Sequence, residues 1–268
     1  MDHEELTRRF SALTTAHVAD ACVRAALPVR AAPPDVRPLA PGSRLAGRAC
    51  PARHVGSVDV FLEAYAAAAP GDVLVVDNDG RLDEACVGDL ALLEARQAGL
   101  SGVVVWGLHR DTADLRAIGL PVFSLGATPP GPRRLDPRPP EALRSAVVGE
   151  WTVDRTDLVL GDDDGVLFVP AARADELLTL AAGIRDTERD QAERMRSGVS
   201  LREQVRFDLP RPAPGEPRTD LPRALADGGR GDRGVRRVRC AARATRGGPS
   251  GRPDVGVAPI PCDASGPA

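Results

Sequence analysis

The sequence contains no lysine: all 35 residues counted as lysine plus arginine are arginine. A Schiff-base aldolase, a pyridoxal-phosphate enzyme and a Walker-type nucleotide site each depend on a lysine amine, so composition excludes all three. If this chain breaks carbon–carbon bonds, a metal ion has to serve as the electron sink. Aromatic residues are scarce at 3%, which leaves valine, leucine and alanine to build the core. The five cysteines (Cys22, Cys50, Cys86, Cys240, Cys262) form no C-x-x-C pair. That argues against a structural zinc site and a disulfide framework. The four histidines (His3, His17, His54, His109) lack the spacing of a zinc hydrolase. No apolar run approaches the ~20 residues that span a bilayer. The charged start Met1-Asp2-His3-Glu4-Glu5 has no apolar stretch behind it, so a soluble, cytoplasmic protein is expected. A net charge of −3 gives no reason to expect a nucleic-acid partner.

What is present divides the chain in two. Residues 1–208 read as a globular domain, and 43% hydrophobic content overall supports a sizeable core. From Leu209 the last 60 residues hold ten prolines, ten glycines and eleven arginines against six acids, with no aromatic residue. Such a stretch cannot bury enough apolar surface to offset its ordering entropy, and a disordered tail is expected. Its formal G-x-G-x-x-G at Gly229–Gly234 has no strand before it and no helix after it, so it is accidental.

Within 1–208 the pattern predicts alternating strands and helices, hence an α/β domain. Leu6 to Ala26 reads as helical, with Thr15 as a cap or break. The apolar runs Asp72–Asp77 and Gly102–Gly107 read as buried strands, and Pro121-Val122-Phe123 as a brief third. Asp89–Ala98 reads as a helix ended by Gly99. Leu158–Leu160 and Val166–Val169 read as strands around the solvated acidic turn Gly161–Gly165, with Pro170 opening a long helix through Arg196.

Two segments carry the candidate chemistry. One is Gly88-Asp89-Leu90 at a helix start, where unpaired N–H groups and the helix dipole favour an anion and glycine allows close approach. The other is Arg110-Asp111 directly after a buried strand, at the sheet end where ligands tend to bind. Arginine offers a planar fork for a carboxylate, and aspartate a hard oxygen for Mg²⁺ or Mn²⁺. Surface ion pairing is the simpler explanation of an isolated Arg-Asp dipeptide. His109 reads either as a pocket-lining residue or as a packed strand end, and Asp77 and Asp79 as turn formers.

The run Gly71–Asp77, Gly88 heading a helix, Gly102–Val105 leading to Gly107-x-x-Arg110-Asp111, and Gly119-Leu120-Pro121-Val122-Phe123 together resemble the RraA-like family. That family includes 4-hydroxy-4-methyl-2-oxoglutarate aldolases, oxaloacetate decarboxylases and the regulator of ribonuclease activity A. Thr15–Ala21, Leu45–Ala49 and Gly161–Pro170 extend the resemblance over roughly residues 6–205. It implies a single compact layered β-β-α domain and a homotrimer or hexamer with active sites at subunit clefts, and the long helix from Ala171 onward offers an apolar face for that subunit contact. It also implies a divalent-metal-dependent pyruvate aldolase and oxaloacetate decarboxylase acting on a small 2-oxo acid. Asp111 would be the metal ligand, Arg110 and Asp111 the catalytic pair, and Gly88, Asp89, Leu90 and Arg110 the substrate-binding set. The family's acid three positions after the aspartate is Asp114 here. The regulator branch tends to lack the acid after the arginine, so Asp111 favours an enzyme over a non-catalytic regulator on the same fold. A methyltransferase would need a glycine-rich S-adenosylmethionine loop, which is missing. Pro51, in place of a β-rich Thr-Val stretch, and the arginine-rich tail depart from the family pattern.

Overall fold

The structure, a computed structural model, describes residues 1–205 and Phe207; the stretch from 209 onward, and with it the expected disordered tail, lies outside them. The chain runs through α1 (His3–Ser11), α2 (Thr15–Arg24), β1 (Arg30–Ala31), β2 (Arg37–Pro38), β3 (Leu45–Arg53), α3 (Asp59–Ala67), β4 (Val73–Asp77) and β5 (Ala85–Val87). It continues through α4 (Asp89–Gln97), β6 (Gly102–Trp106), β7 (Leu108–His109), α5 (Thr112–Ile118) and β8 (Val122–Ser124). Then follow β9 (Ser145–Val148), β10 (Trp151–Asp154), β11 (Asp157–Asp162), β12 (Gly165–Pro170), α6 (Ala174–Arg196) and α7 (Leu201–Gln204).

Eight strands form one curled sheet in the order β1-β12-β11-β3-β4-β6-β8-β2. Its centre, β3-β4-β6-β8, is parallel, and the strands on either side are antiparallel. Strand side chains alternate between faces, and the core follows that period. Val73, Val75, Val104, Val159 and Phe168 share the inner face, covered by the β9–β10 hairpin residues Ala146, Val148 and Val153. Leu74, Val76, Val103 and Val105 point the other way, onto α3, α4 and α5. Further along that outer face, Leu158, Leu160, Leu167 and Val169 meet α1, α2 and α6. Each such fully buried valine or leucine contributes roughly 1.5–3 kcal/mol relative to exposure. Burial on both faces explains why β4 and β6 read as unbroken apolar runs.

Pro51 fits inside β3 for a definable reason. The antiparallel pairing with β11 ends at Arg48, and β4 pairs with Ala49–Arg53. The Arg53 N–H donates away from β4, to the Ala142 carbonyl at 2.8 Å. By strand alternation the Pro51 nitrogen faces that same side, beyond the end of β11, so its missing N–H costs no ladder bond.

Three local expectations change in detail. The helical stretch expected from Leu6 to Ala26 is two helices. Thr14, not Thr15, caps the second, in a reciprocal pair with His17. The acidic turn is not simply solvated: Asp162 is buried and accepts the Thr15 N–H and hydroxyl, both at 2.7 Å. The apolar face of α6, expected to meet a neighbouring subunit, is consumed inside the domain by Leu177, Leu178, Ala181 and Ile184.

Candidate active site

β4 and β6 are parallel neighbours whose last paired residues are Asp77 and Trp106. Leaving β4, the chain turns through Asp79 and Gly80, both at positive φ. Asp77 holds that turn. One carboxylate oxygen accepts the Asp79 N–H at 3.0 Å, and the other accepts the Val147 N–H at 3.1 Å from β9. The returning segment, β5, pairs in parallel with β7 beyond the end of the sheet. Gly107 makes this ledge possible. It sits at φ 157, and a Cβ there would stand 2.9 Å from the Asn78 Cβ.

The ledge brings the two segments singled out in the sequence together. β5 feeds Gly88, the N-cap of α4, and β7 feeds Arg110 and Asp111, the latter the N-cap of α5. The Arg110 N–H donates to the Val87 carbonyl at 2.9 Å, locking the two strand ends in register. Asp111 adopts a left-handed conformation, φ 57 and ψ 40, and its side chain does not cap its own helix. A non-glycine residue held there costs of order 1 kcal/mol or more. The carboxylate instead reaches across to α4, where Oδ2 lies 3.4 Å from the Asp89 N–H and 3.4 Å from Arg110 Nε. The Arg110 side chain is threaded between two glycines. A Cβ on Gly88 would come within 3.2 Å of its Nε, and one on Gly131 within 2.8 Å of its Nη1.

Beside this convergence lies a cavity of about 360 Å³. Gly88, Asp89 and Arg110 form its polar side, and Phe61, Leu62 and Leu90 its apolar side. Tyr65 also lines it and donates its hydroxyl to the Ala91 carbonyl at 2.9 Å, which holds the first turn of α4 in place. Burial pushes the Tyr65 hydroxyl and the Cys86 thiol well above their ordinary pKa values, so both stay protonated. Asp111 stands behind Gly88 and is not among the lining residues. Asp114 lies exposed in the first turn of α5. Among the described residues no group of three or more His, Cys, Asp or Glu gathers to hold a metal ion.

His109 proves to be a packed strand end. It is buried, with Nδ1 2.8 Å from Ser124 Oγ and Nε2 3.1 Å from Thr112 Oγ1. Burial lowers its pKa. Sequence reasoning missed a second polar group, the chain His54–Asn78–Arg134–Glu84, of which His54 lines the cavity. Its members come from four separate places in the sequence, and no short motif joins them.

The RraA-like family model, described as Aldolase/RraA, matches residues 15–168. A protein of Halalkalibacterium halodurans, provisionally named a 4-hydroxy-4-methyl-2-oxoglutarate aldolase, is 31% identical over 150 residues, which is 54% of this chain and 69% of that protein. Protein DlpA of Legionella pneumophila is 29% identical over 180 residues, 65% of this chain, although the match spans only 29% of DlpA's own length. Among solved structures, an uncharacterized protein from Pseudomonas syringae superposes with a TM-score of 0.64 at 26% identity, covering 76% of this chain and 97% of that one. Streptomyces coelicolor RraAS2, described as an unusual member of the RNase ES inhibitor RraA family, gives 0.60 at 26% identity, covering 73% and 96%. The matched span takes in the central sheet but for the last two residues of β12, together with Gly88, Arg110 and Asp111, and on that ground the chain belongs to the RraA-like family.

Proposed function

We propose that this chain is a divalent-metal-dependent pyruvate aldolase that cleaves 4-hydroxy-4-methyl-2-oxoglutarate-type 2-oxo acids and decarboxylates oxaloacetate. One observation carries the reading: Arg110 and the N-terminus of α4 line a cavity, and the Asp111 carboxylate meets both across Gly88 from behind it.

The donor set fits Mg²⁺ or Mn²⁺ and not a protein-caged metal. Asp111 offers one hard carboxylate, strained into place and unused as a helix cap. Mg²⁺ is commonly held by one or two carboxylates and keeps several waters. Asp111 would hold the ion, which when bound supplies Lewis-acid charge to the oxygens of a 2-oxo acid. The chain's own groups do the rest. The backbone N–H groups of Asp89 and Leu90 receive the substrate carboxylate at the start of α4. Arg110 directs its guanidinium at the 2-oxo oxygen, where negative charge grows as pyruvate enolate forms. Phe61, Leu62 and Leu90 keep water from the far side and face the substituent at C4.

We further propose that a homotrimer or hexamer completes the cleft. Val58, Leu62 and Leu90, which line the cavity, are 53%, 52% and 75% exposed. A contiguous apolar rim of this kind marks an interaction surface. The competing reading is a non-catalytic regulator, favoured by the likeness to RraAS2. Pyruvate release from oxaloacetate and from a panel of 4-hydroxy-2-oxo acids, with and without EDTA, separates the two. An aldolase turns over both and stops with EDTA. A regulator releases no pyruvate above a protein-free control holding the same metal, with or without EDTA.

A further inference from the structure

His54 follows directly on β3, and its side chain is fully closed off from solvent. Its ring stacks on Phe61, with 5.3 Å between centroids and 18° between planes, and it lines the same cavity as Gly88, Asp89 and Arg110. Nδ1 lies 2.9 Å from the side-chain oxygen of Asn78, and Arg134 Nη2 lies 2.9 Å from that same oxygen. A guanidinium can only donate, so the atom it meets must be the amide oxygen, and this fixes which way Asn78 points. The oxygen in turn can only accept, so Nδ1 carries the hydrogen of the neutral ring. Nε2 is left as a lone pair, and it has no hydrogen-bond partner among the described residues. Buried acceptors in native proteins are nearly always paired. An unpaired one in the wall of a cavity is therefore a place held open for a ligand or a proton.

The charges around the ring support the same conclusion. Glu84 is buried, with its Oε1 3.9 Å from His54 Nδ1. It is itself held by Arg134, through Nε at 3.0 Å and Nη2 at 2.9 Å, and it lies 3.6 Å from Arg81 Nε. Burial and Arg134 keep the resting ring neutral, while the Asn78 hydrogen bond and the Glu84 and Asp136 carboxylates favour the imidazolium that proton uptake would create. An imidazole anchored through Nδ1–H, its Nε2 buried and unpartnered in a ring that lines a substrate cavity, is the arrangement of a general base that a bound substrate must reach by displacing the cavity wall.

We propose that His54 is the catalytic base of aldol cleavage, its Nε2 taking the proton from the C4 hydroxyl of a 2-oxo acid held by Arg110 and the N-terminus of α4. This rests on the aldolase reading above. As the proton moves to Nε2, the electron pair left on oxygen forms the C4=O bond. The C3–C4 bond breaks, and its pair becomes the C2–C3 enolate. The enolate then takes a proton at C3 to give pyruvate, and Nε2 returns its proton to water, so no oxidant or reductant is consumed. Oxaloacetate reaches the same enolate by losing CO₂ and has no hydroxyl proton to surrender. His54 therefore has no task in decarboxylation.

The two reactions make the test. The full-length protein is assayed with Mg²⁺ or Mn²⁺ for cleavage of a 4-hydroxy-2-oxo acid and for oxaloacetate decarboxylation, as wild type, His54→Asn and His54→Gln. Asparagine retains a donor toward Asn78 and leaves nothing at the Nε2 position. Loss of a general base lowers the aldol rate by ~10²–10⁴, and decarboxylation should stay within about threefold. Equal losses in both reactions, or an aldol rate that survives, overturn the proposal. Should neither variant fold, the wild-type pH dependence decides. The expected result is an acid limb in aldol kcat/KM that decarboxylation lacks, with its midpoint below the ordinary histidine value. A limb common to both reactions, or no limb, overturns it. A wild-type protein that performs neither reaction defeats the aldolase reading itself, which is a separate failure.

Discussion

The Oδ2 oxygen of Asp111 lies 2.6 Å from the point that a Cβ on Gly88 would occupy. Gly88 has φ −131, a backbone conformation open to any residue, so it is the neighbour across the gap that requires glycine here. Gly88→Ala would push a methyl group against Asp111 Oδ2 and toward Arg110 Nε at 3.2 Å, in the space where the site's charged groups meet. The expected outcome is a fall of at least ~10-fold in kcat/KM for pyruvate release, since small misplacements of reacting groups are costly. The melting temperature should stay within a few degrees, because the change touches no core residue. Calorimetry and steady-state kinetics on one preparation check both halves.

Acid should destabilise the domain, and two buried histidines set the direction. His54 and His109 both have folded-state pKa values lowered by burial. Between the folded value and the unfolded value near 6.5 the unfolded chain binds protons that the folded protein does not, so stability rises with pH across that window. It is lost as pH falls below about 6.5. The melting temperature should drop on going from pH 7.5 to pH 5.5. His109→Gln, which can keep hydrogen bonds to Ser124 and Thr112, should make the drop shallower. An equal slope in variant and wild type would remove His109 from this explanation.

Much of the parallel half of the sheet was legible in the sequence, because β4 and β6 are buried on both faces and so appear as continuous valine runs. The Gly88 and Arg110-Asp111 segments were legible as candidates for separate reasons, the first because it opens a helix and the second because it follows a buried strand; the short β5 that feeds Gly88 and the α5 that Asp111 opens were not. What the sequence hid depends on partners distant in the chain. The β9–β10 hairpin mixes buried and half-exposed residues and takes its place only by covering the inner face of the sheet. α3 has no side-chain cap to announce it. The apolar stripe of α6 looked available to another subunit, but it meets α1, α2 and the antiparallel strands. His54 carried no signal, since its tautomer is set by Asn78 and Arg134, the latter brought back by the loop after β8.

We propose that residues 1–208 hold the whole domain, and that the stretch from 209 adds neither core nor site. Its proline, glycine and arginine content offers no apolar face to bury. A protein ending at Asp208 should match the full chain in melting temperature and in pyruvate release. A loss of several degrees, or of activity, would show that the stretch docks onto the domain.

The division of labour between Arg110 and Asp111 is the central claim, and kinetics across a metal titration test it most directly. Asp111→Asn should weaken the apparent affinity for Mg²⁺ or Mn²⁺, with excess metal restoring part of the rate. Arg110→Ala should leave the metal dependence nearly unchanged and lower turnover by ~10²–10³, the usual loss for one preorganised charge donor. Arg110→Lys should recover little, since a point charge on a flexible stem does not replace a planar fork. If the pair were only a surface ion pair, each variant would lose about 0–1 kcal/mol of stability and keep its activity. An Arg110→Ala protein with wild-type turnover would contradict the mechanism.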